Sequence, residues 1–433
     1  MIILAFYIGV FMKISFYGGA KEVGRSCFIL EKKGKEIFLD CGIKLGKRID
    51  FPIVEDIPSY GIISHAHLDH VGYLPHIIRD DMSILSTKPT MELSNVLLSD
   101  YRRISQSFKP EDVSKTMKRF KWTDYEKQIS LNGFNAMLFD AGHIMGSAMT
   151  LIDNRVLYTG DLNTRGSKIL NPAKPVKAET LIIESTYGKK DDHIPSMKES
   201  LSKLSKIINE TIENNGIVII PSFAVGRGQE ILIALDAYMR SGVIKRVPIY
   251  VDGMVKKAMR IYRQNVIYAR KEIQMQILMS LHDPFRSELF KVPKTIDRSD
   301  VKRPSIIVTT SGMLTGGPII HYLNNFGNDE RNTLIFTGYQ AEGTPGREVL
   351  EGKRRITYSI DDEVIEIDIG LRIEHVKFSG HSDHNDLIKF AKETRAKNII
   401  IVHGEEKAVE ELGDDLGKKA NVFKPSLGET LII

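Results

Sequence analysis

The sequence predicts an α/β protein, on three observations. The first third reads as short strands separated by tight turns. From about residue 196 strands and helices alternate, and after about 370 the chain returns to strand–loop–helix units. Such alternation builds a parallel sheet. A length of 433 residues suits two domains, or one large domain carrying a big insertion.

The elements follow in order. MKISFYGG (12–19), CFILEKK (27–33) and KEIFLDCG (35–42) alternate or run apolar, and KKGK (32–35) supplies a hairpin turn. IPSYGIIS (57–64) reads as a strand, and a polar, helix-like stretch covers about 89–120. NAMLFDAGH (135–143), RVLYTGD (155–161) and ETLIIESTYG (179–188) are further strand–loop units. SMKESLSKLSKIINETIENNG (196–216) has apolar residues at helical spacing. The strand, glycine loop, helix order then recurs in segments starting at 216, 247 and 305, and NTLIFTGYQ (332–340) adds a strand. The chain ends with the units EHVKFSGHSDHNDLIKFAKE (374–393) and NIIIVHGEEKAVEEL (398–412).

Composition bounds the function. Hydrophobic residues make up 42% and charged ones 27%, ordinary for a globular chain and unlike a disordered one. A net charge of +5 permits a polyanionic partner without requiring one. The only two cysteines, Cys27 and Cys41, exclude a disulfide framework and a cysteine zinc site, and a reducing cytoplasmic location is expected. MIILAFYIGVFM is too short for a membrane span, which needs roughly 20 apolar residues, and it lacks a basic signal-peptide start. Met12 opens the first strand, so residues 1–11 are expected to be an extension ahead of the fold, and no membrane contact is expected.

SHAHLDH (64–70) carries the chemistry. His65, His67, Asp69 and His70 lie within six residues, directly after a strand. His65 and His67 are two apart and can point the same way in an extended loop. Asp69 and His70 open a short helix aimed at a neighbouring point. A solvated polar loop would not concentrate metal-grade side chains in this way. Closure comes from His143, Asp161 and His403, each following a strand beside a glycine. Imidazole and carboxylate without thiolate suit zinc or a similar divalent ion.

HAHLDH is similar to the HxHxDH signature of the metallo-β-lactamase superfamily, and His143, Asp161 and His403 follow in the order of that superfamily. The resemblance implies an αββα sandwich with two Zn²⁺ per chain, or Mn²⁺ on the same ligands. One ion would take His65, His67 and His143, the other Asp69, His70 and His403, with Asp161 bridging. ESTYG with Glu184, SGHSDH with His381 and IVHGE with His403 resemble the β-CASP motifs. That subgroup inserts a second α/β domain, which implies boundaries of 1–188, 189–372 and 373–433. A histidine at the third motif goes with RNA-processing members.

PSFAVGRGQEIL, TTSGMLTGGP and FTGYQAEGTPGR resemble the cleavage and polyadenylation specificity factor nuclease and its archaeal relatives. Because the resemblance starts at the first strand, the N-terminal KH domains of one archaeal branch are not expected here. Single-stranded RNA is the implied substrate, and a homodimer and an RNA-processing complex are carried as expectations. The catalytic assignments are His381 as general acid, Glu184 as the carboxylate that orients it and raises its pKa, and Asp69 beside them. Arg227 in GRGQE (226–230) opens a helix whose amides face a phosphate. Ser379 and Gly380 join it as phosphate contacts. Lys256, Lys257 and Arg260 share a helix face that either contacts RNA or is simply solvated.

The expected activity is therefore metal-dependent endonucleolytic hydrolysis of RNA in 3′-end processing or decay. A 5′→3′ exoribonuclease of the RNase J type is the alternative. From another class comes an RNA-binding scaffold without catalysis, but such relatives lose ligands and all seven positions are filled here.

Overall fold

Two seven-stranded sheets face one another and bury their inward-pointing residues in a shared core. The computed structural model describes residues 11–46, 48–279, 282–360, 363–418 and 420–433. The expected extension at 1–11 thus falls, but for Phe11, outside the described residues.

The first sheet runs Thr430–Ile432, Lys13–Gly18, Cys27–Lys32, Lys35–Leu39, Tyr60–Ile62, Ser83–Ser86 and Phe120–Trp122. Lys33 and Gly34 join two of these strands with φ of 52° and 72°. Positive φ at both central residues matches the right-handed strand twist, which is why KKGK makes a two-residue hairpin. The second sheet runs Asn421–Phe423, Asn398–Val402, Thr180–Glu184, Val156–Tyr158, Ala148–Ile152, Phe134–Asp140 and Gln128–Leu131. Phe16, Phe28 and Leu39 of the first sheet meet Phe134, Leu138 and Ile182 of the second, all fully buried.

Helices cover the outer faces. Leu74, Leu98 and Val113 pack on the first sheet, and Leu387, Phe390, Val409 and Leu412 pack on the second, giving the αββα order. The helix-like stretch at 89–120 is two helices, Lys88–Ser105 and Pro110–Arg119. The first ends at Gln106, in the left-handed region, and the second begins with Pro110 at its first position. Proline is tolerated there because that N–H has no helical partner.

The third sheet is inserted between the strands Thr180–Glu184 and Asn398–Val402. It is six-stranded, in the order Phe290–Lys291, Ile249–Val251, Ser305–Thr309, Ile217–Pro221, Thr333–Phe336 and Arg372–His375. All its pairings are parallel. Its strands are apolar on both sides, because helices cover both faces. Strand Arg372–His375, at the expected 372/373 division, is an edge of this sheet. No helix among the described residues is long and apolar enough to cross a membrane.

Candidate active site

The loops at one rim of the sandwich carry the sequence-predicted ligands, four after one strand and one after each of three others. Tyr60–Ile62 is followed by His65 and His67, and the short helix Leu68–Val71 presents Asp69 and His70. His143 follows Phe134–Asp140, Asp161 follows Val156–Tyr158, and His403 follows Asn398–Val402. Gly160 lets two of these loops meet. A Cβ there would stand 2.6 Å from the Ser64 Cβ, and its φ is +52°.

The structure brings all seven residues into one cluster. His65 Nε2 and His143 Nε2 each lie 3.1 Å from His67 Nδ1, and each is 3.5 Å from Asp161 Oδ2. The other carboxylate oxygen of Asp161, Oδ1, faces His70 Nε2 at 3.3 Å. His403 Nε2 and His70 Nε2 lie 3.5 and 3.8 Å from Asp69 Oδ2. Asp161 therefore shows one oxygen to each group of imidazoles.

Four of the five ring orientations are fixed from behind. His70 Nδ1 meets Asp40 Oδ2 at 2.7 Å, His65 Nδ1 meets Ser64 Oγ at 3.1 Å, His143 Nδ1 donates to Gly380 O at 2.8 Å, and His403 Nδ1 meets Ser26 Oγ at 2.8 Å. Each contact occupies Nδ1 and turns Nε2 into the cluster, the arrangement that tunes metal-binding histidines. Asp40 is fully buried and also accepts from the Ser64 amide and hydroxyl, both at 2.7 Å, and from Tyr158 Oη at 2.5 Å. Sequence reasoning missed Asp40, Ser64, Tyr158 and Ser26. Only Asp40, a carboxylate ending a strand, left a signal that could have found it.

The electrostatics divide the cluster. Burial, with neighbouring imidazoles, drives His65 and His143 well below the ordinary histidine range, and burial also lowers His67. Burial pulls His70 down as well, but Asp161, Asp40 and Asp69 outweigh it and hold the ring well above its ordinary value. Asp161 is pushed up by burial, yet His403, His70 and His65 keep it well below the usual carboxylate range. The donor set is nitrogen and oxygen only. Among the described residues His70 Nε2 and Asp161 Oδ1 are buried without a hydrogen-bond partner, so the set fits one or more cations.

His381 stands beside this cluster. Its Nδ1 lies 3.0 Å from both Glu184 oxygens, and its Nε2 is 4.0 Å from Asp161 Oδ2. Burial would lower this ring, but the Glu184 carboxylate dominates and pushes it up to about 9. Glu184 is itself buried at its strand end and accepts from the Leu162 amide at 2.5 Å. The SGHSDH segment is tied down on either side. Ser379 Oγ accepts from the His381 amide at 2.9 Å, and Ser382 N donates to Leu162 O at 2.8 Å. Asp383 caps the helix His384–Thr394, and His384 Nδ1 donates to Gly188 O at 2.6 Å.

The predicted phosphate contacts divide into two groups. A Cβ on Gly380 would lie 3.1 Å from His143 Nδ1 and 3.2 Å from Arg227 Nη2, so Gly380 and Arg227 border the cluster. Arg227 reaches it because Gly226, with φ +91°, lets its helix abut Ile144, 2.7 Å from where a Cβ would stand. Lys256, Lys257 and Arg260 lie on the exposed face of the helix Met254–Gln264, which packs beside Lys88–Ser105. They make no contact with the histidine cluster among the described residues.

Comparisons with known proteins agree in kind. Residues 12–213 match the Anti-Pycsar protein Apyc1 family, 228–349 the Beta-Casp domain, and 366–425 the Zn-dependent metallo-hydrolase RNA specificity domain. The chain is 36% identical over 427 residues to transcription termination factor FttA of Methanocaldococcus jannaschii, covering 91% of this chain and 67% of that protein. FttA of Methanosarcina mazei is 33% identical over 446 residues, covering 95% and 70%. An RNase J-like protein of M. jannaschii is 37% identical over 401 residues, covering 90% and 92%. A crystal structure of a protein of unknown function from Enterococcus faecalis V583 shares the fold, with TM-score 0.64 and 14% identity over 98% of this chain and 100% of that one.

Proposed function

The chain belongs to the β-CASP ribonucleases of the metallo-β-lactamase superfamily, and from that premise we propose a two-metal endonuclease that hydrolyses single-stranded RNA. The observation that carries this reading is the divided carboxylate of Asp161, one oxygen toward His65 and His143 and the other toward His70. His65, His67, His143 and Asp161 would hold one ion, and Asp69, His70, His403 and Asp161 the other. Zinc is the favoured metal and manganese suits the same ligands. Bound divalent ions would supply a Lewis acid for a phosphoryl oxygen and a hydroxide nucleophile at neutral pH.

The protein's own residues do the rest. Glu184 takes the Nδ1–H of His381 and leaves Nε2 facing the cluster with a proton. That proton goes to the departing 3′ oxygen, so water and one phosphodiester become a 5′-phosphate and a 3′-hydroxyl. Gly380 and Arg227 line the approach of the phosphate, and the Lys256, Lys257 and Arg260 face serves the strand farther out. The active site so read lies between the sandwich and an inserted unit taken as 189–372. Relatives named transcription termination factors support a role in ending transcription or processing its product, within a cytoplasmic complex or as a homodimer.

The identity to an RNase J-like protein over 92% of its length favours a second reading, 5′→3′ exonuclease activity. Incubating metal-quantified protein with circular and 3′-labelled linear RNA separates the two. Cleavage of the circle is expected. An intact circle with single nucleotides released from the linear RNA would reverse the assignment, and no cleavage of either would sink it.

A further inference from the structure

The inserted sheet has a ligand crevice of its own. Strand Ile217–Pro221 leads into the helix Arg227–Arg240, which packs on one face of the sheet with Ile231 and Leu235. Its neighbours Ser305–Thr309 and Thr333–Phe336 lead into Ile319–Phe326 and Pro345–Leu350, which pack on the opposite face with Ile319, Leu323 and Val349. Connections that leave adjacent parallel strands toward opposite faces open a crevice beyond the strands' carboxyl ends, where α/β sheets bind ligands.

Two aromatic rings stand at that opening. Phe223, just after the central strand, is 36% exposed, and Tyr339, just after its neighbour, is 53% exposed. Neither ring is paired with an aromatic ring or a cation among the described residues. Phe223 lies between two glycines. A Cβ on Gly312 would meet the Phe223 amide at 3.0 Å, and one on Gly338 would meet the ring's Cε2 at 3.1 Å. Any side chain at 338 would therefore crowd this ring. Tyr339 sits in the field of Glu405, in the sandwich loop after His403, and of Lys189, where the chain enters the inserted unit. Tyr187 is in edge contact with His381, 6.0 Å between ring centres, and lies within electrostatic reach of Arg227 and Tyr339.

Arg227 occupies the same opening. It is the first residue of its helix, and Gly228 packs against Ser222, which holds Phe223 close to the helix start. Its guanidinium borders His143 and Gly380, yet it has no hydrogen-bond or ion-pair partner among the described residues. A half-buried guanidinium at a helix N-terminus, in the field of Glu230 but free of hydrogen bonds among the described residues, suits a phosphate. Exposed rings beside it suit unpaired bases, which stack without regard to sequence.

We propose that this crevice is a nucleotide subsite of the RNA path: Arg227 binds a phosphate next to the scissile one, and Phe223 and Tyr339 each stack a flanking base. The subsite rests on the ribonuclease reading and extends it from the bond cut to the bases held.

The test is fluorescence anisotropy with a labelled single-stranded oligouridylate in chelator, where binding is read without cleavage. Phe223→Leu and Tyr339→Leu are each expected to raise Kd about 5- to 150-fold, the range for loss of one stacked base. Phe223→Trp should restore affinity. An oligomer with one abasic ribose, scanned along the strand, should weaken wild type by the same factor at two positions, and each leucine variant should ignore one of them. Leucine variants that bind intact RNA like wild type, or lose as much on every abasic oligomer, would overturn the subsite alone, since wild-type cleavage keeps the ribonuclease reading. Wild type that neither binds nor cuts RNA would overturn both.

Discussion

Two rims of strand ends face each other in this molecule, and they are built on opposite principles. At the sandwich rim, seven metal-grade side chains converge; five are buried, and four of these are held from behind by Asp40, Ser64, Ser26 and Gly380. At the rim of the inserted sheet, Phe223 and Tyr339 are exposed, and Arg227 makes no hydrogen bond or ion pair among the described residues. Reaction chemistry needs charges fixed in a dry site, because there electrostatic interactions are strong and reorganisation is small. Holding a strand of variable sequence needs surfaces that any base can cover. In the proposed reading, the sandwich supplies the reaction and the inserted sheet supplies contact with the strand.

The sharpest way to break that division is Asp161→Ala. It removes both oxygens that face the imidazole groups, so cleavage should fall to background and metal content per chain, measured by elemental analysis, should drop. RNA affinity should change far less than cleavage. An active Asp161→Ala enzyme would mean that the cluster is not the reaction centre. Next in size is His381→Ala, expected to slow cleavage about 10²- to 10⁴-fold, the range for one positioned acid. Its metal content should stay at the wild-type value, and loss of metal would make His381 a ligand instead. Third is Asp40→Ala, expected to weaken metal binding about 10- to 100-fold in competition with a chelator, the range for losing a partner of a liganding histidine.

How much of this was legible in the sequence follows from how each residue gets its role. His65, His67, Asp69 and His70 are covalent near neighbours, so their clustering is visible in six letters. His143, Asp161 and His403 were legible because each ends an apolar run beside a glycine. Asp40 was not, since its function comes from Ser64, His70 and Tyr158, up to 118 residues away, and DCG also reads as an ordinary strand end. Short buried strands such as Ser83–Ser86 and Ala148–Ile152 lack alternation, because both faces are covered. Phe223 in PSFAVG reads as a loop residue. Its meaning depends on which face each helix takes, and only the folded topology fixes that.

The smallest expected effect, and the finest probe of the sandwich rim, is Glu184→Gln. Glu184 holds His381 up to about 9 through its charge as well as its hydrogen bond, against the pull of burial. A general acid works only while protonated, so cleavage should fall as pH rises through the pKa of His381. Bound cations would repel the imidazolium and bring that alkaline limb below about 9, while the carboxylate keeps it above where burial alone would leave it. Glutamine keeps an oxygen that can accept from Nδ1 but removes the charge, so the limb should move to lower pH. Below the limb, the rate should change only a few-fold. Initial cleavage rates between about pH 6 and 10 read this shift directly, around the ordinary histidine value of about 6.5. A limb that stays in place in Glu184→Gln would assign the acid to another group and leave His381 a binding role at the edge of the cluster.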